Sequence, residues 1–446
     1  MLKQRRFLLP ILFIATTLLY AQTTTPKKPS TTTSKEKIIV EDDDAAATID
    51  PRIPQAEAAI AAKDYENAEA MLLAVAEKYP KEYRTWFDLS YVYIGLGKQE
   101  KAIDSLKHCI VLKPDLLEAN LNLGTLLAVG GATAEAAPYL KKATQLKPVD
   151  PNSDVLFRSW LLYSRAILDT DPKAAILAGR KAAELNPQSP EPHLAIAEAS
   201  GLLRDIAMQE LELKTAQLLD PKSSEALAGL IFIYTSTHRD ADALKALHAF
   251  LTLEPKNAQA HRQLARLEFA TGKKDEALLE MDQARLLAPD DKEILQDTST
   301  LYLEMKKYEE ARPLLERLLK SSPNNAVLHS DLGHALTSLR LYEDAEKELI
   351  TSLRLNEKQA GALEDLGFVA GENKHYQLAL KALDARSQLV PDTPFTYFLR
   401  AINSDHLQMF KQAAIYYHKF LETTGEKMPT QKWQAEHRLL AIEPKK

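Results

Sequence analysis

Proline recurs along this chain with a fixed period. After Pro80 it returns at 114, 148, 187, 221, 255, 289, 323 and 391, so the gaps are 34, 34, 39, 34, 34, 34, 34 and 68, the last twice 34. At a background frequency of about 5%, eleven such slots would catch roughly half a proline. Nine are filled. A period of this length describes a helix–turn–helix unit that cannot bury its apolar face alone and has to stack on copies of itself.

With each unit numbered 1 to 34 and the proline at 32, the other positions fall into phase. Position 20 is alanine in ten of eleven units: Ala68, Ala102, Ala136, Ala175, Ala243, Ala277, Ala311, Ala345, Ala379 and Ala413. Position 8 is small in nine, among them Gly124, Gly333 and Gly367. Position 24 is usually large and apolar (Leu72, Leu106, Leu140, Leu247, Leu349), and position 7 mostly aliphatic (Leu89, Leu123, Leu264, Leu332, Leu366). Small residues at 8 and 20 predict the points where two antiparallel helices approach most closely, and the aliphatic residues predict the packed faces. Proline at 32 ends the second helix, having no N–H and clashing with the preceding turn.

In the second unit Trp86, Leu89, Ser90, Tyr93, Gly97, Ala102, Leu106 and Pro114 follow one another at diagnostic positions. This pattern resembles the tetratricopeptide-repeat family, over about Ile49 to Gly425. The resemblance implies an all-α, right-handed superhelical solenoid of about eleven repeats, whose first helices line a concave groove that binds peptides or helices of partner proteins. Some units depart from it. Five extra residues precede the fourth, in 149–154, so the array is expected to be irregular over 149–187; Tyr163 and Gly179 stand there where a small and a large residue belong. The fifth has Gln209 for alanine, the ninth Glu357 for proline, and the eleventh Arg400 at position 7. A helix from about Thr430 to Ala441, with Trp433 and Leu439–Leu440 against Lys432, Glu436 and Arg438, is expected to close the array. The domains read as 51–425 for the repeats and 426–446 for a capping helix and tail.

What precedes the repeats is of another kind. Lys3, Arg5 and Arg6 lead into an apolar run from Phe7 to Tyr20, shorter than the roughly 20 residues a membrane span needs, and Ala21 offers a small residue for cleavage. Residues 1–21 are expected to be an export signal, and 22–50, rich in Thr, Pro, Ser and Asp, a disordered tether. Removing three cations takes the net charge from −6 to −9, which argues against nucleic acid as a partner. A single cysteine, Cys109, excludes an internal disulfide, and no Asn-x-Ser/Thr sequon occurs. The expectation is a periplasmic or secreted protein of a bacterial envelope with no membrane span after cleavage.

No catalytic or metal motif appears. The histidines are scattered; His193, His261 and His329 recur at position 4, where Trp86 stands in the second unit, so the repeat explains them. No enzyme activity, cofactor or metal is expected, and Cys109 falls at a packed position. Family geometry puts positions 2, 5, 9 and 12 in the groove, with 6 and 13 at its edge. The partner-binding candidates are an early apolar and aromatic stripe, Phe87, Tyr91, Leu121, Phe157 and Trp160; then Arg262 and Arg266 with Phe269; and a later acidic stretch through Asp297, Glu304, Asp331, His334, Glu364, Asp365, Glu372 and Asp405, with Phe368 among them. The carboxylate clamp of chaperone-binding relatives is not matched: Phe87, Tyr91, Asn122, Phe157 and Leu161 supply one of five residues. The expected function is an exported, non-catalytic scaffold that holds protein or peptide partners and helps assemble an envelope complex. The alternative is an accessory subunit of a polysaccharide-synthesis or secretion machine that contacts glycan.

Overall fold

The computed structural model describes residues 50–151 and 154–443. The segments read as export signal and tether lie outside the described residues, except for Asp50. Among the described residues there are 23 helices and no strand, so the protein is all-α. It divides into two compact units, one ending at Ile233 and one starting at Tyr234.

The first unit holds α1 (Arg52–Ala61), α2 (Tyr65–Lys78), α3 (Tyr83–Gly95), α4 (Gln99–Leu112), α5 (Leu117–Val129), α6 (Thr133–Ala143), α7 (Val155–Ala166), α8 (Pro172–Leu185), α9 (Glu191–Leu202) and α10 (Ile206–Leu219). The division falls inside α11 (Ser224–Ser236). The second unit continues with α12 (Asp240–Leu253), α13 (Ala258–Ala270), α14 (Lys274–Leu287), α15 (Lys292–Glu304), α16 (Tyr308–Ser321), α17 (Ala326–Ser338) and α18 (Tyr342–Leu355). It ends with α19 (Ala360–Glu372), α20 (Tyr376–Ser387), α21 (Pro394–His406), α22 (Phe410–Thr424) and α23 (Pro429–Ile442). Within each unit the helices pair as the 34-residue period predicts. In each, a hairpin packs on the next, and first helices also touch one another, as in α5 with α7 and α17 with α19.

All ten position-20 alanines have no exposed surface. The tightest approach differs in one respect from the sequence reading: position 8 meets position 24 rather than 20. A Cβ added to Gly124 would lie 2.5 Å from Leu140 Cγ, one on Gly333 2.6 Å from Leu349 Cγ, and one on Gly367 2.7 Å from Leu383 Cγ. The large leucine thus sits directly over the missing side chain. The turn inside the hairpin adds a second constraint. Position 15 has a positive φ in ten units, at Gly97, Gly131 and Gly272 but also at Lys63, Arg204, His238, Lys306, Arg340, Lys374 and Gln408. A non-glycine residue there costs about 1–2 kcal/mol, so the stacking of the hairpins holds the turn against its own backbone preference.

The irregular units are compensated by particular neighbours. Where Gly179 leaves a gap at position 24, Ile196 of the next hairpin fills it: a Cβ on Gly179 would lie 2.7 Å from Ile196 Cγ1. Gln209, replacing alanine, has room because Gly201 faces it; a Cβ there would come within 2.7 Å of its Nε2. In the ninth unit α18 ends without proline, and the Gln359 amide donates to the carbonyls of Ser352 (3.3 Å) and Asn356 (3.0 Å). Arg400, at an aliphatic position, is buried; it donates to the Leu383 carbonyl at 2.6 Å and pairs with Asp384 and Asp392. The closing helix packs Ala435, Leu439 and Ile442 on a cluster that includes Phe398, Tyr417 and Phe420. Trp433 and Leu440, read from the sequence as part of its apolar side, instead point outward at 59% and 67% exposure. Ala435 and Leu439 are four residues apart, on the adjoining stripe of the helix.

Candidate functional site

In the first unit the aromatic stripe is divided among packing clusters. Leu121 is a core residue at 1% exposure and presents nothing to a partner. Phe87 packs on the cluster containing Leu106, Leu117 and Leu123, and Tyr91 on the one containing Leu72, Leu89 and Val92; both rings are half-buried. Burial raises the pKa of the Tyr91 phenol, and Tyr65 adds to the shift. Phe157 and Trp160, also half-buried, cover Leu161, Ala182 and Ala195, and Trp160 meets Tyr163 edge-on at 6.5 Å. Much of each ring is spent on repeat-to-repeat contact.

In the second unit Arg262 on α13 reaches α15, pairing with Glu293 and Asp297 at 2.5 Å each, while Arg266 stays exposed 3.9 Å from Asp297. Phe269 lies under the Lys274 ammonium, and Phe368 packs among Tyr342 and Phe395. Asp405 is held by two bonds from Arg438 (2.6 and 2.8 Å). These groups are engaged within the fold, and Glu372 is exposed.

The remaining candidates come together on α15, α17 and α19. His334 forms a wall shared by two open cavities. One, of about 290 Å³, is lined by His334, Ala360, Gly361, Glu364, Asp365 and Arg386. Nothing lies within 4 Å of where a Gly361 Cβ would stand, so the floor there is open. The other, of about 370 Å³, is lined by Thr300, Leu303, Glu304, Lys306, Tyr308, Asp331 and His334. His334 Nδ1 lies 2.9 Å from Asp365 Oδ2, and its ring meets Tyr308 edge-on at 5.8 Å. The bond to Asp365 raises the pKa of the imidazole, against the effect of burial. Glu364 Oε2 lies 2.7 Å from Arg386 Nε, an ion pair whose angles are not those of a hydrogen bond. Asp331 is half-buried; burial pushes its carboxyl up to about 6, and the smaller influence of His334 opposes this.

The position-4 histidines belong to the repeat, as the sequence suggested, through a device it did not reveal. His193, His261 and His329 each place Nδ1 2.5–2.6 Å from a glutamate of the partner helix, Glu212, Glu280 and Glu348. Nε2–H of His261 and of His329 donates to the carbonyl of the preceding proline, Pro255 (3.1 Å) and Pro323 (2.9 Å). Trp86 Nε1–H makes the same bond to Pro80 at 2.9 Å. The recurrence of glutamate at position 23 in those three units was the signal available. Cys109 is fully buried, and burial, with the Asp88 carboxyl nearby, pushes its thiol up to about 12, which leaves it a packing residue. Among the described residues no group of three or more His, Cys, Asp or Glu is placed to hold a metal, and no helix is long and apolar enough to cross a membrane.

Comparison with protein families matches residues 83–116, 239–292 and 302–366 to profiles described as tetratricopeptide repeat. The chain is a tetratricopeptide-repeat protein. The matches fall in both compact units, and the third contains α17 and the His334 wall. No curated protein matches the sequence. Solved structures similar to this repeat protein include yeast Tom70, 14% identical, covering 88% of this chain and 95% of that one with a TM-score of 0.32. A tetratricopeptide repeat protein from Parabacteroides merdae ATCC 43184 is 17% identical over 56% of this chain and 98% of its own, TM-score 0.38. MamA (41-end) from Desulfovibrio magneticus RS-1 is 17% identical over 37% of this chain and 94% of its own, TM-score 0.36.

Proposed function

We propose that this protein is a non-catalytic interaction scaffold that receives a segment of a partner protein against α15, α17 and α19, on the two cavities divided by His334. The observation that carries this reading is the contrast between the two candidate surfaces. The aromatic rings of the first unit are half-buried in packing, whereas Asp331, Glu304 and the His334–Asp365 pair line open space. Open polar cavities beside a packed wall are where a repeat array can bind without unfolding its own contacts. The basic, apolar and small-residue order of residues 1–21 supports export, and the scaffold then works in the envelope, where it helps to assemble a complex.

The test is site-specific photo-crosslinking in cells that make the protein. A crosslinker at Glu304 should give a discrete adduct with another protein, and one at Leu218, exposed on α10, should not. Equal adducts from both positions, or none from Glu304, would refute the placement. The intact mass of the envelope-associated chain tests export separately, a retained Met1 arguing against cleavage.

A further inference from the structure

Of the two cavities beside His334, one is neutralised from within and the other is not. In the first, Glu364 faces Arg386 and Asp365 faces His334, so each lining carboxylate has a cationic or imidazole partner. In the second, neither Asp331 nor Glu304 makes a hydrogen bond or ion pair with any described residue. Lys306 lines the same cavity from the turn after α15, but its ammonium pairs with neither carboxylate. The rest of that lining is Thr300 and Leu303 on α15, Tyr308 at the start of α16, and His334, whose ring meets Tyr308 edge-on.

We infer that this second cavity takes a lysine or arginine side chain from a partner polypeptide, its aliphatic stem on Leu303 and Tyr308 and its cationic head between Asp331 and Glu304. The inference rests on the groove reading above and gives its partner a charge. Three physical features select this occupant over a simple ion or an acidic segment. A long stem that buries its methylenes while the head stays polar matches a cavity with one apolar and one acidic side. The Tyr308 ring adds a favourable site for a cation over an aromatic face. An unpaired, half-buried carboxylate loses solvation without recovering a partner, and an incoming cation removes that cost. An anionic segment would meet two carboxylates that neither Lys306 nor His334 engages in a hydrogen bond or ion pair, which discriminates against it. Asp331 titrates at about 6 and His334 gains charge as the pH falls, so both changes weaken a bound cation in acid.

The experiment uses the full chain and fluorescein-labelled octapeptides of lysine and of glutamate, followed by anisotropy at pH 7.5 and pH 5.0. The lysine peptide should bind at pH 7.5 and weaken at pH 5.0, and the glutamate peptide should not bind. Asp331→Asn with Glu304→Gln should weaken the lysine peptide about tenfold, the equivalent of one charge-assisted hydrogen bond. Glu309→Gln with Glu310→Gln, which remove the same charge from the exposed start of α16, should leave it within about twofold. Equal loss in both double variants would show general charge attraction and overturn the assignment. So would binding of the lysine peptide only after Lys27, Lys28, Lys35 and Lys37 are replaced by alanine, because the occupant would then be the chain's own leading segment. A Glu304 crosslink to a partner without any lysine-peptide binding would overturn the charge assignment and leave the groove in place; absence of both would remove both.

Discussion

Asp88 gives the sharpest test of how the first unit is built. It lies on α3 at 7% exposure and makes no hydrogen bond with any described residue. Burial, with a smaller contribution from Glu57 and against Arg84, pushes its carboxyl from 3.8 to about 7. The folded state therefore holds a proton that the unfolded state releases. The cost of the ionised form is fully present above pH 7 and disappears as the pH falls towards 4, so stability from this group declines with rising pH between those limits. About three pK units correspond to about 4 kcal/mol as a ceiling, and relaxation around a buried charge makes about 2 kcal/mol the working figure. Asp88→Asn removes the charge at nearly constant shape, and Asn122 already occupies the same position in the next unit. The assay is urea unfolding followed by Trp86 fluorescence in a background with Trp160→Phe and Trp433→Phe, leaving a single reporter on α3. At pH 8 Asp88→Asn should gain about 2 kcal/mol, and at pH 4.5 less than half of that. An equal gain at both pH values, or a loss at pH 8, would refute the assignment of an unpaired buried acid.

Ala345 has no exposed surface, so Ala345→Leu should overpack the ninth hairpin by about 1–3 kcal/mol and split unfolding into segments; a single unchanged transition in calorimetry would count against the repeat alignment. His329→Ala removes a ring bound to both Glu348 and the Pro323 carbonyl and should lower stability by about 1–3 kcal/mol in urea titration, while His437→Ala, on the exposed closing helix, should change it by less than about 0.5. Replacing Tyr91 and Trp160 together by alanine should lower the melting temperature through lost packing and leave capture of the Glu304-crosslinked partner unchanged; lost capture at an unchanged melting temperature would return the binding site to the first unit.

The fold was legible because its information is redundant. Ten alanines and nine prolines in phase state the hairpin many times over, and the bounds of the closing helix fell within a residue of those expected, Pro429–Ile442 against Thr430–Ala441. The compensations were not legible, because each joins two positions of different units. Ile196 fills the space left by Gly179, and Gly201 makes room for Gln209; neither substitution announces its partner in sequence. The outward turn of Trp433 was missed for a related reason. Apolar residues four and seven apart define two stripes on one helix, and the sequence does not say which meets the neighbour.

The site was legible only as a list. Position numbers put Phe87, Leu121 and Asp331 on the same footing, although Leu121 is in the core and Asp331 faces a cavity. Whether a groove position is spent on its neighbour depends on the side chain opposite. Arg262 is spent because Asp297 and Glu293 stand one repeat away, and Glu364 because Arg386 rises from α20. Asp331 has no such partner, and this difference separates a structural charge from one available to a ligand.

The most direct measurement for the account is the affinity of the partner identified by the Glu304 crosslink for the full chain and for its Asp331→Arg variant, each with its melting temperature. A loss of about tenfold or more, larger than any fall in melting temperature accounts for, is the predicted result, because a cation replaces an unpaired acid that lines the cavity. Undiminished affinity would contradict the claim that the wall of α15, α17 and α19 is where this scaffold meets its partner.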